Sequence, residues 1–488
     1  MASLVLTITL SLLLLAPPTF AFNCSKPPIY VDIHKRAVHD SSEFQYGSFI
    51  GVGTPAQNHS LWPSLTQNHT SFAASAYCRN SSLKGCEDGT GGFFVKSDST
   101  SFQENDNFKS LDNSRFTGSS SFGQDTLRLY THYFETDGAS QTLVENSTIE
   151  IAEKGSIAPG IVGMGLSSTL LQSLVSKDII AGRTYSLYIG QGFDRAGGAV
   201  NGSNTFGGFD AGRFTEPVHA YKMKESNTSP FTVRVKDITI TSPDGRNVSL
   251  LDKSVFQNTD AGPFDAQLTT DQYPLSLPFS VTENFKRQLN ARPDPENRFG
   301  DDSLQLPAPF AGSMTIVLDD GFSVTLPGEV LSNASNISPV QNRARNDSRP
   351  FYLSTAFLTQ VYLMADFDSY TFFLAPAVQK NNIVMPTTFC PKSIPRPYVW
   401  PKQSAWVRNG LIGAVIGGVF GGIGIGIVGF CFWAAWVRRR AERREEDEER
   451  ARKRAKMEQF EVEEGVGTTE FEGPPKRGAR RGWRFWRR

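Results

Sequence analysis

Cysteine is scarce, five residues in a chain of 488. That excludes a small disulfide-stapled scaffold and leaves no Cys-x-x-Cys pair for a structural zinc site. Neither sign of charge dominates, with 49 Lys/Arg against 49 Asp/Glu. The six histidines (His34, His39, His59, His69, His132 and His219) include no two at i,i+4, and only His39 has a carboxylate, Glu43, at that spacing. A metal centre is therefore not expected, and no other cofactor is indicated. No Gly-x-Ser-x-Gly elbow supplies a serine nucleophile. Gly202-Ser203 and Gly207-Gly208 read as turn residues rather than a phosphate cradle, and Asp319-Asp320-Gly321 as a hairpin turn rather than a calcium loop.

Long apolar runs are also few, and the two present set the topology. Leu411 to Val437 holds 27 residues without a charge, followed at once by Arg438, Arg439 and Arg440. Roughly 20 apolar residues cross a bilayer as a helix, so this run spans, and the arginines mark its cytoplasmic end. Leu4 to Leu15, with Thr19-Phe20-Ala21 behind it, reads as a signal-peptide core and cleavage site, although the usual basic residue in front is missing. Asn-x-Ser/Thr sequons at Asn23, Asn58, Asn68, Asn80, Asn146, Asn201, Asn227, Asn247, Asn333 and Asn346 all precede the span. That is expected if only this side meets the glycosylation machinery.

The chain accordingly divides into a signal peptide (1–21), an ectodomain (22–390), a linker (391–410), a transmembrane helix (411–437) and a cytosolic tail (438–488). This describes a single-pass type I glycoprotein. Its N-terminal domain faces the cell exterior or the lumen of an endomembrane such as the vacuolar one.

The tail carries 17 Lys/Arg and 12 Asp/Glu, leaving 32 and 37 for the rest, so the outer part is mildly acidic. It has no basic stripe, and nucleic acid is not an expected partner. From Arg438 to Glu464 the tail mixes opposite charges with helix formers, and Glu442, Glu445, Glu446 and Glu449 can meet arginines at i,i+4. Beyond Gly465 the composition is that of a disordered end. The last 13 residues hold seven basic side chains with Trp483, Phe485 and Trp486, a mixture that suits an anionic membrane surface as well as a solvated end. Within the span, Gly413, Gly417 and Gly421 recur at every fourth residue and permit a close helix–helix dimer. Cys431 there is plain helix surface or a palmitoylation site.

The ectodomain is all-β. Strand signals such as Ile151-Ala152-Glu153, Phe231 to Ile240 and Met314 to Leu326 are punctuated by Gly, Asn, Asp, Ser and Pro. Helical periodicity is confined to Thr169 to Ser176 and Val281 to Leu289. Cys78 and Cys86 close a short loop and make a disulfide in an oxidising compartment. Cys24 and Cys390 sit near the two ends of the ectodomain; bridging them would tie its termini, although spacing alone leaves that pairing open.

Several segments, in order, resemble the pepsin-like aspartic peptidases, particularly fungal membrane-anchored members. Phe44-Gln45-Tyr46-Gly47 through Gly51-Val52-Gly53-Thr54-Pro55-Ala56-Gln57 is similar to that family's first strand and Gly-Thr-Pro-x-Gln turn. Cys78 and Cys86 match its small disulfide loop, and Gly160-Ile161-Val162-Gly163-Met164-Gly165-Leu166 its Gly-Ile-Leu-Gly-Leu-Gly block. Thr205-Phe206-Gly207-Gly208-Phe209-Asp210 matches the Phe-Gly-Gly-x-Asp turn, and Tyr352-Leu353 through Asp366 a block of the second lobe. The resemblance implies a bilobal β fold with a long cleft, the lobes covering about 29–212 and 213–390.

Members of that family cleave peptides with one Asp from each lobe, each in an Asp-Thr/Ser-Gly turn, because two carboxyls sharing a proton serve as base and acid towards a water. By the family's spacing the two positions here are Ser64 and Thr269. Neither can titrate as a carboxylate, and the turn glycines are replaced by Thr66 and Asp271. Asp271 and Asp260 are acids without a partner in the first lobe, and Phe108 to Leu127 lacks the tyrosine of the flap. Trp62 and Tyr273, beside the lost positions, fill the vacated space or stack a ligand.

The sequence therefore reads as a pseudoprotease, with no catalytic residue, whose cleft binds a peptide or a cell-wall polysaccharide. An acid endopeptidase with an atypical catalytic site is the alternative, and a wall-to-membrane tether is a third class.

Overall fold

Alternation of apolar and polar residues decides most of the outer part. In Thr232–Thr241 the inward side chains are Val233, Val235, Ile238 and Ile240. The step from 235 to 238 marks a bulge, where the register against Ser313–Leu318 shifts between Val235 and Asp237. Ser313–Leu318 turns through Asp319-Asp320-Gly321 into Ser323–Pro327, with Gly321 at φ +89° supplying the hairpin's left-handed position.

The computed structural model describes residues 22–79, 86–112, 119–131, 141–154, 160–190, 201–225, 229–257, 260–296, 302–332, 335–379, 383–399 and 405–461. The expected signal peptide, the sequons at Asn80, Asn227 and Asn333, and the basic-aromatic end of the tail lie outside them. The chain forms two units, 1–399 and 400–488.

The first unit is mostly β and bilobal. One sheet of 14 strands builds the first lobe and runs on into the second. Its junction is Thr184–Gly190, which pairs with Asn201–Phe206 on one side and with Val361–Asp366 on the other, Ser186 opposite Met364. The lobe boundary near 212 is thus no break in hydrogen bonding. The second lobe adds a six-stranded sheet in the order Ser323–Pro327, Ser313–Leu318, Thr232–Thr241, Phe264–Leu268, Tyr352–Leu353, with Asn247–Ser249 beside Thr232–Thr241. Phe72, Phe94, Phe206, Phe231, Phe285, Phe357, Phe367 and Phe372 are fully buried and belong to one continuous core that serves both lobes. Burying each such ring contributes on the order of 2–3 kcal/mol.

Both disulfides are formed. Cys78 joins Cys86, and Cys24 joins Cys390 across 366 residues of sequence with a Cα separation of 5.4 Å. Near the latter, Gly208–Asp210 pairs with Pro386–Thr388, so the C-terminal end of the unit is also held by a ladder.

Two local expectations change. Gly202 and Ser203 are strand residues rather than a turn, because they lie within Asn201–Phe206, where a Cβ at 202 would meet the Ile189 carbonyl at 2.4 Å. The second helix covers Phe279–Leu289, starting two residues before Val281 directly after Pro278, and Asn290 at φ +53° ends it in the left-handed region.

The second unit holds one helix, Ala405–Glu461. It begins inside the expected linker and continues past Val437 through the charged stretch. Arg450 and Glu446, one turn apart, approach to 3.5 Å there. By length and apolar composition the helix can cross a membrane. Cys431 on it is exposed and unbridged.

Candidate functional site

The same local plan occurs once in each lobe. Gln57–Ser64 ends beside the parallel strand Ile161–Gly163, with Ser64 opposite Gly163. The chain beyond Gly163 enters helix Thr169–Ser176, whose first turn is capped by the Ser168 hydroxyl on Leu171 N–H. In the second lobe Phe264–Leu268 ends beside the parallel strand Tyr352–Leu353, and Thr269 N–H donates to Leu353 O at 3.1 Å. The chain beyond Leu353 enters helix Thr355–Leu358. Ser64 and Thr269 are thus equivalent points on two copies of one strand–turn unit.

These two turns meet. Leu65 N–H donates to Thr270 Oγ1 at 3.2 Å, and Trp62 Nε1–H donates to Thr270 O at 2.8 Å. Thr66 Oγ1 donates to Asp271 Oδ2. Ser64 and Thr269, 0% and 3% exposed, also brace their own turns, accepting from Gln67 N–H at 3.2 Å and Asp271 N–H at 3.1 Å. Close approach is needed behind the first turn: a Cβ at Gly163 would meet the His69 carbonyl oxygen at 2.5 Å.

Asp271 is the acid placed at this floor by the second lobe. The hydroxyls of Ser64, Thr66 and Thr269 all reach its carboxyl. Asp271 is an exposed residue, and its carboxyl is bounded by these hydroxyls from both lobes. Burial pushes its pKa up; the three hydroxyls oppose this, and the charge of Asp112 adds to the rise.

Asp112 is a first-lobe residue that sequence reasoning missed. Its Oδ1 accepts Asn68 N–H at 2.8 Å and Asn68 Nδ2–H at 2.7 Å, and its Oδ2 accepts His69 N–H at 3.4 Å. Its carboxylate is therefore committed to the first-lobe turn, and among the described residues no hydrogen bond joins it to Asp271. No motif announces it, because its partners are 43 and 44 residues away in sequence.

One sequon is corrected by the same contacts. Asn68 is 3% exposed and its amide is consumed by Asp112, so a glycan there cannot coexist with this fold. Asn58 is half-buried and its Oδ1 accepts from Tyr130 Oη at 2.8 Å, whereas Asn23, Asn146, Asn201, Asn247 and Asn346 are exposed. A further sequon, Asn336-Ile337-Ser338, escaped notice; its serine is fully buried in Ile337–Gln341.

Trp62 spans the junction, its indole N–H held by Thr270 and its ring 6.0 Å from that of Tyr46. Where the family flap tyrosine is missing, Phe108 packs edge-on against His69, 5.4 Å between centroids. Among the described residues no three His, Cys, Asp or Glu side chains converge to hold a metal ion.

A two-lobed β-sheet protein in which matching strand turns, one from each lobe, meet is the class that fold and site define. The model of the eukaryotic aspartyl protease family matches residues 45–376, well over half the chain, and the chain belongs to that family. A comparison with curated proteins finds no match.

Proposed function

We propose that this protein is a non-catalytic member of its family, of the fungal membrane-anchored kind. In this reading it is a single-pass type I glycoprotein that binds a peptide or cell-wall polysaccharide in the groove between its lobes. The supporting observation is the floor itself: hydroxyls, Ser64 and Thr269, stand at the two equivalent turn positions. Peptide hydrolysis by this family's chemistry needs two carboxyls sharing one proton, so that an ionised one can take a proton from water while the other donates. A serine or threonine hydroxyl cannot take that proton without an adjacent base. The remaining acid, Asp271, has its pKa raised by burial, against the hydroxyls around it, and has no second carboxyl hydrogen-bonded to it among the described residues.

A second reading draws on the same residue. A lone carboxyl among hydroxyls from both lobes could serve an acid hydrolase with Asp271 as its base. The full-length protein in detergent, incubated with denatured protein at about pH 3–5 where such dyads work, separates the two. No turnover is expected for the native protein or for Asp271→Asn. Turnover that an aspartic-peptidase inhibitor blocks, and that Asp271→Asn abolishes, would overturn the proposal.

A further inference from the structure

We propose that His69 is an acid-released latch: neutral, its ring accepts the Leu111 amide and holds Phe108–Leu111 on the floor turn; protonated, it cannot. The ring is fully buried, four residues beyond Leu65, in the turn whose Thr66 hydroxyl reaches Asp271. Its Nε2 lies 2.9 Å from Leu111 N–H. A backbone amide can only donate, so Nε2 must carry a lone pair and the ring proton must sit on Nδ1. Nδ1 is buried with no hydrogen-bond partner among the described residues. The ring stands edge-on to Phe108 and Phe122, at centroid distances of 5.4 and 5.0 Å, and these two aromatics pack on each other at 5.0 Å.

Adding a proton at Nε2 would point two donors at each other, which disfavours the latched state. Asp112, one residue further on, stays anchored through its carboxylate on Asn68 and His69, so the segment pivots from that end instead of leaving altogether.

The charged groups around the ring are few. Burial lowers the pKa of His69 and the Asp112 carboxylate works against that. Glu150, on the adjoining strand Gln141–Lys154, is buried; its own pKa is raised by burial and further by Asp112. Asp271 faces the turn from the second lobe, and Asp106 and Lys109 flank Phe108 but are exposed. The strand bearing Phe122, Ser119–Tyr130, carries Asp125 and Arg128 further along, and Asp125 is buried and accepts from the Ser99 and Ser101 hydroxyls. A ring whose latched pKa lies below its free value of 6.5 favours the latch above that value and loses it as pH falls. Opening should rise about tenfold for each pH unit below about 6.5, until the latched ring also takes a proton.

This regulates the groove of the reading above and depends on that reading only for its purpose; the test needs no ligand and no turnover, so the two can fail separately. Hydrogen–deuterium exchange would be followed on the full-length protein in neutral-lipid nanodiscs from about pH 7.5 to about pH 4.5, corrected for intrinsic exchange. The peptide carrying Leu111 should lose protection about tenfold per pH unit below about 6.5, while the peptide carrying Trp62 keeps it. His69→Gln, whose side-chain oxygen can accept the same amide without titrating, should flatten the profile. A flat profile in the native protein overturns the proposal whether or not the variant folds, and so does an unchanged fall in a folded His69→Gln.

Discussion

Replacing Asp271 with Asn changes its charge but hardly its shape. In the unfolded chain this acid titrates near 3.8, and in the fold burial raises it. Below the unfolded value both states hold the proton, and Asn is a fair copy of the neutral acid. Above the folded value the native state must keep a charge where burial disfavours it, so the stability given by the protonated form is lost as pH rises. Asp271→Asn should therefore be more stable than the native protein at about pH 7, with the gap shrinking towards about pH 4 in thermal melts of the full chain. A gap of constant size would mean the carboxyl is not shielded. Trp62→Phe tests the junction from the other side. It removes the one indole bond to Thr270 while keeping most of the packing, and should cost about 1 kcal/mol. For a protein of this size that is a drop of about 1–3 °C in melting midpoint. No drop would mean water replaces the bond at no cost.

At the level of elements, the helix Thr169–Ser176 carries much of the floor's placement. Ser168 Oγ accepts Leu171 N–H at 3.3 Å and donates to Gly163 O at 2.5 Å, tying the helix start to the strand opposite Ser64. Ser168→Ala should cost about 1 kcal/mol for the lost cap, read as a lower urea midpoint with unchanged slope; a changed slope would mean the lobe opens instead. This helix was legible in the sequence because Leu170, Leu171 and Leu174 fall on one face at helical spacing. So was the hairpin at Asp319-Asp320-Gly321, from its acid-acid-glycine turn between two alternating runs. What could not be read was the tertiary part. Asp112 and His69 meet through a loop with no periodic pattern, and the Asp271 carboxyl is bounded by hydroxyls of both lobes. The helix Ala405–Glu461 extends beyond the apolar run of 411–437 at both ends. Hydropathy marks where a helix is apolar, while backbone hydrogen bonding continues through any residues that tolerate a helix.

At the scale of the molecule, the sequons and the apolar helix make one joint claim about orientation. Among the described residues, every exposed sequon asparagine (Asn23, Asn146, Asn201, Asn247 and Asn346) lies in the β unit that precedes that helix. If the β unit is lumenal or extracellular, these sites meet the glycosylation machinery and the charged stretch after Val437 does not. Burial then sorts among sites on the correct side. Asn247→Gln should remove one glycan, seen as a mobility step that vanishes after glycosidase treatment. Asn68→Gln should leave the glycan pattern unchanged, because the Asn68 amide is held by Asp112 beneath the surface. A chain lying the other way round would show no glycosidase shift for any variant, and would place the groove in the cytosol. Loss of a glycan in Asn68→Gln alone would be narrower in effect: it would leave the orientation intact and show that the floor turn is not packed against Asp112 as described.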